Sequence, residues 1–380
     1  MKVLIVSNNA YYKGNGLCTA IHSLYDNLKE SGVEVRIMAC ANPDPEGPQP
    51  EYPLKHFKFP VFEWLIYSNG FRFATIDRKL MHEAIEWADV LHLEEAFPLE
   101  AVAVRMARKM GKPCIGSYHL FAENILANLG VKRDRIFCKL INLYWKKSVF
   151  DHCAIVHCPT IKVRDCLLRY GYRAELRVIS NGIDMQSPCQ EEVEVQKTPY
   201  VVLCIGRYSN EKSQSTLLEA MRYSRHCHEI QLHFAGKGPK EKTYRREAKA
   251  LVRDGVLSHE PIFGFYDKAE LAKLCRSAYL YIHCARVEVE GLSCVEALRE
   301  GAVPVIAEGS VTATSQFALD NRSTFAGGNP WALAKRIDWW IEHPEEREEA
   351  GKQYAASVSK YDVRQSTAAI IQMYEDAIKA

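Results

Sequence analysis

The chain has 380 residues, of which 47% are hydrophobic and 25% charged, and its formal net charge is +2. This length indicates two domains, and the near-zero charge gives no support for nucleic acid as a partner. The 13 cysteines are scattered without a C-x-x-C pair, which argues against a disulfide framework and a zinc site and favours a reducing cytoplasm. No apolar run approaches the roughly 20 residues of a membrane-spanning helix. Met1 leads directly into an apolar strand, so no signal peptide is expected.

A glycine-containing loop follows the first predicted strand, Val3 to Val6. Gly14 and Gly16 come late in this loop, before a helix predicted from about Leu17 to Ser31. A dinucleotide-binding fingerprint does not fit, because the third glycine position is Thr19 and the second strand lacks the acid that binds a ribose. The two glycines suit a loop whose backbone N–H groups approach a phosphate or a sugar, although a purely structural turn has the same pattern.

Two further features of the amino-terminal half draw attention. The stretch His56 to Phe73 is dense in aromatic residues, including Trp64, with Lys and Arg interleaved. A core hairpin or helix with ordinary aromatics is its simplest interpretation. His119 follows a strand predicted from Cys114 to Tyr118, and it therefore lies at the carboxyl edge of the sheet, where doubly wound folds bind ligands.

Residues 131–150 form a predicted basic amphipathic helix. Six Lys or Arg residues stand against one Asp in this stretch, and apolar residues recur at helical spacing, namely Ile136, Phe137, Leu140, Ile141, Tyr144 and Trp145. Such a helix can lie on an anionic membrane surface. An ordinary domain helix with its apolar face in the core has the same pattern. The candidates for contact with a membrane or another apolar partner are Lys132, Arg133, Tyr144, Trp145, Lys146, Lys147 and, outside this helix, Trp64.

The second half restarts the strand, loop and helix pattern. A polar stretch at residues 185–198 is predicted to be the linker between the domains. The apolar strand Tyr200 to Ile205 then runs into a loop that carries Arg207 and Lys212. Both lie between a strand's carboxyl end and a helix's amino end, where an Arg fork and a Lys point charge would bind two phosphates.

Three glutamates follow the apolar strand from Ala278 to Ile282. Glu288 and Glu290 lie on the loop after this strand, and Glu296 lies on the predicted helix from about Ser293 to Glu300. The loop after a strand's carboxyl end faces the ligand crevice, so Glu288 and Glu296 can both reach one extended polar ligand. Solvated acids near a helix start would give the same pattern.

The order of these motifs resembles the retaining glycosyltransferases of family 4, which have the GT-B fold. The resemblance covers nearly the whole chain and is carried by the glycine loop, His119, SNGID at 180–184, GR…EK at 206–212, GKGP at 236–239 and the pair Glu288-x7-Glu296. The segments GRYSNEK, SYHLFAENI and VISNGID are similar in sequence to those of the bacterial lipid glucosyltransferases that act on cholesterol or diacylglycerol.

This resemblance implies an α/β protein with two Rossmann-like domains facing each other across a cleft. Residues 1–184 would be the acceptor-binding domain and residues 199–360 the domain that binds a nucleotide-sugar. A carboxy-terminal helix at 361–380 would cross back to the first domain. The common acidic motif has E-G-F-G after its first Glu, whereas this chain has Val289-Glu290-Gly291-Leu292. Either Glu288 or Glu290 therefore meets the sugar, and the eight-residue spacing to Glu296 favours Glu288.

The resemblance also implies roles for single residues. Arg207 and Lys212 would bind the donor diphosphate. Glu296 would bind the ribose hydroxyls and Glu288 the sugar hydroxyls. His119 would contact the transferred sugar, so the catalytic set is His119, Glu288, Arg207 and Lys212. The donor-binding set is Gly14, Gly16, Asn181, Arg207, Lys212, Gly236, Gly238, Phe265, Glu288, Glu290, Gly291, Leu292 and Glu296.

The implied reaction transfers glucose or galactose from UDP-glucose or UDP-galactose with retention, so that the product is α-linked. No D-x-D pair is present, and we expect neither a metal nor a cofactor. The implied acceptor is a diacylglycerol, a sterol or a ceramide. The protein would then be cytoplasmic and peripheral on the anionic inner face of the cytoplasmic membrane, without a nucleic-acid partner. The alternatives are a transferase acting on soluble or cell-surface polysaccharide, and a sugar-nucleotide epimerase, hydrolase or non-catalytic binder.

Overall fold

The computed structural model describes residues 1–11, 16–61, 63–68, 70–128, 135–189 and 191–380. These residues form two compact units. The first unit comprises residues 1–181 together with 363–380, and the second comprises residues 182–362. Each unit is built around a parallel β-sheet.

Among the described residues, the part of the first unit before residue 182 has nine strands and seven α-helices. The strands are β1 (Lys2–Val6), β2 (Glu34–Cys40), β3 (Tyr52–Leu54), β4 (His56–Phe57), β5 (Phe73–Ala74), β6 (Val90–Leu93), β7 (Cys114–Ser117), β8 (Ile155–Cys158) and β9 (Glu175–Val178). The helices are α1 (Gly16–Glu30), α2 (Glu63–Ser68), α3 (Arg78–Trp87), α4 (Pro98–Lys109), α5 (Ala122–Asn128), α6 (Arg135–Ser148) and α7 (Ile161–Arg169). Seven strands form a parallel sheet in the order β3-β2-β1-β6-β7-β8-β9, and β4 pairs with β5 as a separate antiparallel ribbon.

Local sequence explains why these elements form where they do. In β1 the run Val3 to Val6 is fully buried, as expected for a parallel strand covered on both faces. Helix α3 begins after Asp77, whose carboxylate accepts hydrogen bonds from the backbone N–H groups of Lys79 and Leu80, and this satisfies donors that have no partner within the helix. After α1, Gly32 has a φ of +78°, a left-handed conformation that ends the helix as the sequence predicts.

The second unit has six strands and six helices among the described residues. The strands are β10 (Tyr200–Ile205), β11 (Ile230–Ala235), β12 (Ile262–Gly264), β13 (Leu280–His283), β14 (Val303–Glu308) and β15 (Thr324–Ala326). The helices are α8 (Ser215–Ala220), α9 (Glu241–Arg253), α10 (Lys268–Ser277), α11 (Leu292–Arg299), α12 (Pro330–Glu342) and α13 (Pro344–Ser357). All six strands form one parallel sheet in the order β12-β11-β10-β13-β14-β15.

The stretch at 185–198, predicted as a linker, is tied to the second unit. Arg276 at the end of α10 donates hydrogen bonds to the Ser187 hydroxyl at 3.0 Å and to the Glu191 carbonyl at 2.5 Å. The backbone N–H of Gln196 donates to the Ser277 carbonyl at 2.9 Å. These contacts are made by Arg276 and Ser277, and Arg276 lies 89 and 85 positions from its two partners. The polar composition of the stretch therefore did not reveal them.

The last helix, α14 (Val363–Lys379), belongs to the first unit. Its Ile370 and Met373 are buried in the core that includes β1, and Asp376 pairs with Arg177 at 2.6 Å. The chain therefore begins and ends in the same unit. None of the 13 cysteines forms a disulfide bond. Within the described part of the chain, no helix is both long enough and apolar enough to cross a membrane.

Candidate functional site

The sheet of the second unit has a topological switch point between β10 and β13. From β10 the chain proceeds to β11 and β12 on one side, and then to β13, β14 and β15 on the other. The loops after the two strands at such a point diverge and leave a ligand crevice beyond the carboxyl ends. Here these loops are residues 206–214 and 284–291. They carry five residues of the predicted donor site, namely Arg207, Lys212, Glu288, Glu290 and Gly291.

Lys212 and Glu288, each on one of the two loops, form an ion pair across the switch point. The Nζ of Lys212 donates a hydrogen bond to Glu288 Oε2, and the Nε2 of His283 lies 3.3 Å from the same oxygen. The backbone of Glu288 is fixed by hydrogen bonds with residues 311 and 313 after β14. The side chain of Glu288 is 15% exposed and that of Lys212 23%, so both remain accessible to a ligand.

The charge state of Glu288 follows from its neighbours. Burial alone would raise the pKa of Glu288, but the Lys212 ammonium and the hydrogen bond with His283 outweigh burial and lower it to about 2. Burial lowers the pKa of His283, whose Nδ1 is 2.9 Å from the Tyr281 hydroxyl. Glu288 is therefore a carboxylate at neutral pH. The sequence analysis did not single out His283; its position at the carboxyl end of β13 was the available signal.

Arg207 is oriented by Glu211, which lies four residues later in the same loop. The Nη2 of Arg207 donates to Glu211 Oε1 at 2.6 Å, and the Arg207 carbonyl accepts from Gln214 Nε2 at 2.9 Å. Glu211 is buried, and within the described part of the chain its Oε2 has no hydrogen-bond partner. The motif that predicted a phosphate contact for Arg207 gave Glu211 no role. The structure assigns it the anchoring of the guanidinium.

Two predicted donor-binding glycines are required by close backbone packing. A Cβ added at Gly236 would lie 2.1 Å from the Gly206 carbonyl oxygen, and one added at Gly238 would lie 2.6 Å from the Tyr208 carbonyl oxygen. Two backbone hydrogen bonds connect the same segments. The Tyr208 N–H donates to the Lys237 carbonyl at 3.1 Å, and the Lys240 N–H donates to the Tyr208 carbonyl at 3.0 Å. These glycines therefore fix the loop that carries Arg207, whatever they contact in a ligand.

Four further donor-site predictions, Glu290, Gly291, Leu292 and Glu296, fall around α11. Glu290 is buried, and its carbonyl accepts a hydrogen bond from the Thr314 hydroxyl at 3.1 Å. Gly291 has a φ of +89° and precedes Leu292, the first residue of α11. Glu296 lies on this helix, and burial raises its pKa. The structure thus brings Glu288, and not Glu290, into contact with Lys212.

Phe265 follows β12 on the same edge of this sheet. Its ring is largely exposed, and the Nζ of Lys237 lies 4.3 Å from the ring centroid. A cation held over an exposed ring leaves the ring edge and its other face available for stacking on a planar group. This placement is compatible with the predicted role of Phe265 in donor binding.

In the first unit, His119 follows β7 and Glu94 follows β6, at the carboxyl edge of the sheet. His119 Nε2 is 2.8 Å from Glu94 Oε2. Both side chains, together with Asn181, line a small cavity of about 10 Å³ that α14 also borders. Gly16 is the first residue of α1, and a Cβ added there would meet no atom within 4 Å. Gly14 lies outside the described residues, as do Lys132 and Arg133 of the predicted membrane helix.

The structure corrects the predicted membrane face of α6. Trp145 is 3% exposed and packs edge-on against Tyr118 with ring centroids 5.9 Å apart, so it is a core residue and not a surface anchor. Lys146 is engaged with Asp151 at 2.6 Å. Tyr144 is exposed, and so are four further apolar residues that share its side of the helix, namely Ile136, Phe137, Leu140 and Leu143. Arg135, Lys139 and Lys147 are exposed beside them.

A second exposed apolar surface lies on the β4–β5 ribbon and α2. Trp64 is 71% exposed, and Val61, Tyr67 and Phe57 are also exposed. A cavity of about 530 Å³ opens here and is lined by His56, Lys58, Pro60, Val61, Glu63, Trp64, Tyr67 and Arg72. The predicted ordinary core interpretation of this stretch therefore fails for Trp64, because the ribbon leaves that side chain uncovered.

Comparison with known proteins identifies both halves of the chain. The Glycosyltransferase Family 4 model matches residues 14–187, and the Glycosyl transferases group 1 model matches residues 188–356. The alpha-monoglucosyldiacylglycerol synthase of Streptococcus pneumoniae is 24% identical over 331 residues, which cover 82% of this chain and 71% of the relative. The structure of Anabaena Alr3699/HepE in complex with UDP and glucose covers 99% of this chain and 100% of its own, with a TM-score of 0.72 and 16% identity.

A third similarity is to the catalytic domain of cholesterol-alpha-glucosyltransferase from Helicobacter pylori. That structure is 41% identical, covers 43% of this chain and 100% of its own, and has a TM-score of 0.39.

Two parallel-sheet Rossmann-like units, with a Lys–Glu pair at the switch point of the second, define a protein of the GT-B fold. The chain belongs to the glycosyltransferases, with a family 4 amino-terminal half and a group 1 carboxy-terminal half. The predicted family and fold class are therefore confirmed.

Proposed function

We propose that this glycosyltransferase moves glucose or galactose from a UDP-sugar to a hydroxyl of a membrane lipid, with retention, and so makes an α-glycolipid. The observation that carries the proposal is the ionised pair Lys212–Glu288 at the switch point of a group 1 domain. Two comparisons support it: the relative from S. pneumoniae is named for the synthesis of a glucosylated diacylglycerol, and HepE was solved with UDP and glucose.

The donor chemistry follows from the charges on the two loops. Departure of UDP builds negative charge on its phosphates, and preorganised cations stabilise that charge in the transition state. Arg207, oriented by Glu211, and Lys212 supply two such cations. Glu288 is a carboxylate that accepts hydrogen bonds only, which suits the hydroxyls of a sugar. We propose that no metal is needed, because Arg207 and Lys212 neutralise the diphosphate themselves.

The acceptor side is supported by the two exposed apolar surfaces of the first unit. The exposed face of α6 combines five apolar side chains with Arg135, Lys139 and Lys147. A basic helix with such a face binds the headgroup region of an anionic membrane. The cavity beside Trp64 adds apolar walls and the basic groups of Lys58 and Arg72. A lipid acceptor with a polar head and apolar tails suits these surfaces, and we propose that the protein is peripheral on the inner face of the cytoplasmic membrane.

The test is transfer of radiolabelled sugar from UDP-glucose or UDP-galactose, in the presence of EDTA, to vesicles containing diacylglycerol, a sterol or a ceramide. Label should enter the organic phase as an α-glycoside, and Lys212→Ala should abolish most of the signal. Label that enters only water-soluble oligosaccharides would favour a polysaccharide acceptor. Release of free sugar or its epimer without any acceptor would favour a hydrolase or epimerase. Restoration of activity by Mg²⁺ alone would refute the metal-free reaction.

A further inference from the structure

A chain of four hydrogen bonds crosses the interior of the first unit. The Tyr374 hydroxyl is 2.6 Å from His92 Nδ1, and His92 Nε2 is 2.6 Å from the Ser117 hydroxyl. The Ser117 hydroxyl is 2.8 Å from His157 Nδ1, and His157 Nε2 is 2.7 Å from the Ile179 carbonyl oxygen. The chain thus connects α14, three strands and the segment after β9.

The direction of this chain is fixed by its last member. A carbonyl oxygen only accepts, so His157 must donate from Nε2. Burial lowers the pKa of His157 to about 3, so the ring is neutral and its Nδ1 accepts from the Ser117 hydroxyl. Because Ser117 has one proton, it accepts in turn from His92 Nε2. Burial also lowers the pKa of His92, so His92 Nδ1 accepts the proton of the Tyr374 hydroxyl.

This direction decides which group Glu94 can bind. His92 Nε2 lies 3.7 Å from Glu94 Oε1, but its proton already points to Ser117. The carboxylate of Glu94 is 2% exposed, and in the described part of the chain its Oε1 has no hydrogen-bond partner. The hydrogen bond of Glu94 Oε2 is to His119 Nε2, at 2.8 Å. Burial would raise the pKa of Glu94, yet the rings of His92 and His119 lower it to about 2.

An ionised carboxylate has no proton to give, so His119 must be the donor, from Nε2. We propose that Glu94 is a positioning residue that holds His119 in the Nε2–H form and leaves Nδ1 to accept a hydroxyl of the transferred sugar. This inference rests on the proposed function and on the role that the family resemblance implies for His119, which is contact with the transferred sugar. A buried carboxylate with one unsatisfied oxygen is costly to a fold, and such groups concentrate at functional sites.

The test compares Glu94→Gln with Tyr374→Phe in the full-length protein. Glutamine keeps the size of Glu94 but can donate to His119 Nε2, so the proton of His119 is no longer fixed. We expect kcat to fall about 10- to 100-fold in Glu94→Gln, on the scale of losing a carboxylate that orients a functional histidine. The Kd for UDP should change less than about twofold, because Arg207 and Lys212, the proposed phosphate-binding cations, are on the second unit. Glu94→Asp, which keeps the charge, should restore part of kcat. Tyr374→Phe removes a buried polar contact of the same network without touching Glu94 and should keep kcat within about twofold.

The ring nitrogens of His119 provide a second readout that needs no acceptor. Long-range ¹⁵N–¹H spectra, assigned with His119→Asn, should show the Nε2–H tautomer in the wild-type protein and a mixture in Glu94→Gln. A Nδ1–H tautomer in the wild type, or equal kcat losses in Glu94→Gln and Tyr374→Phe, would overturn the proposal. If no lipid accepts sugar, the proposed function fails. The tautomer of His119 and the rate of donor hydrolysis still test the role of Glu94 in that case.

Discussion

Substitution of Lys212 and substitution of Glu288 should have different effects on the affinity for UDP. Lys212→Ala removes a cation that the diphosphate needs, and a hydrogen bond to a charged group contributes about 1.5–3 kcal/mol. At about 1.4 kcal/mol per decade, the affinity for UDP should fall about 10- to 150-fold. Glu288→Gln removes the carboxylate that competes with the diphosphate for Lys212, so the affinity for UDP should stay the same or increase. The transfer rate should fall in both variants.

The stability of the two variants follows from the pKa of Glu288, which the fold lowers from 4.5 to about 2. At about 1.36 kcal/mol per pH unit, this difference gives an upper figure of about 3 kcal/mol. Because the folded pKa lies below the unfolded one, the contribution is fully present above pH 4.5 and is lost as the pH falls towards 2. Glu288→Gln should therefore lower the free energy of unfolding at pH 7 by up to about 3 kcal/mol. It should also flatten the decline of this free energy between pH 4.5 and about 2.

The assays are calorimetric titration with UDP, denaturant unfolding at several pH values, and the transfer rate. Lys273→Ala is the matched control, because the Lys273–Glu191 pair is also in the second unit but both side chains are exposed. It should leave all three measurements unchanged. The reasoning is refuted if Glu288→Gln weakens UDP binding as much as Lys212→Ala does. A transfer defect in Glu290→Gln without one in Glu288→Gln would move the sugar contact two residues along the loop.

Two further substitutions test the remaining parts of the proposal. Arg207→Lys keeps the charge but loses the fork that Glu211 orients, so kcat should fall about tenfold or more; a wild-type rate would remove Arg207 from the phosphate site. Phe137→Ser with Leu140→Ser removes two exposed apolar side chains of α6, so sedimentation with anionic vesicles should decrease at low and high salt while UDP affinity is unchanged; undiminished sedimentation would exclude this face of α6.

The two-domain α/β architecture could be predicted from the sequence because strands and helix ends are encoded by short local segments. Central strands such as β1 and β10 are short apolar runs, and each of Gly32 and Gly301 ends a helix through its own backbone conformation. The order of motifs also identified the family without the structure. The switch point of the second unit follows from strand order, which no single segment encodes. It became visible only when β10 and β13 were seen to pair.

The face of α6 shows where periodicity is insufficient. Tyr144 and Trp145 are adjacent, and a helix rotates about 100° per residue, from its 3.6 residues per turn. One step therefore separates an exposed Tyr144 from a buried Trp145. Tyr144 and Trp145 lie on opposite edges of one apolar stripe, and the sequence alone does not show which edge the core covers. The core covers the edge with Trp145, because Tyr118 and Phe97 contact its ring from other elements.

The partners of the charged residues were also beyond the reach of sequence analysis. Lys212 and Glu288 were assigned to phosphate and sugar separately, since 76 positions separate them. Glu94 drew no attention, because a lone acid after a strand is common, and its significance comes from His119 on the next strand of the sheet. Side-chain pairing across loops depends on register and rotamer, which composition and spacing do not report.

The pairing of Lys212 with Glu288 leads to a final prediction about donor selectivity. Without a ligand, each side chain neutralises the other in a partly buried position. A diphosphate draws the ammonium of Lys212 away, which leaves the carboxylate of Glu288 with His283 as its remaining partner in this group. UDP lacks the transferred sugar, whose hydroxyls would donate hydrogen bonds to that carboxylate, whereas a UDP-sugar contains it. The wild-type protein should therefore bind UDP-glucose in preference to UDP.

Glu288→Gln should lose most of this preference, because a hydrogen bond to a neutral acceptor is worth about 1 kcal/mol less than one to a charged acceptor. At about 1.4 kcal/mol per decade, the ratio of the Kd for UDP to that for UDP-glucose should fall about fivefold in the variant. Both constants are measured by titration without an acceptor, so that transfer cannot occur. Lys273→Ala should keep the wild-type ratio. An unchanged ratio in Glu288→Gln would mean that the carboxylate of Glu288 serves Lys212 alone and that the sugar is recognised by other residues.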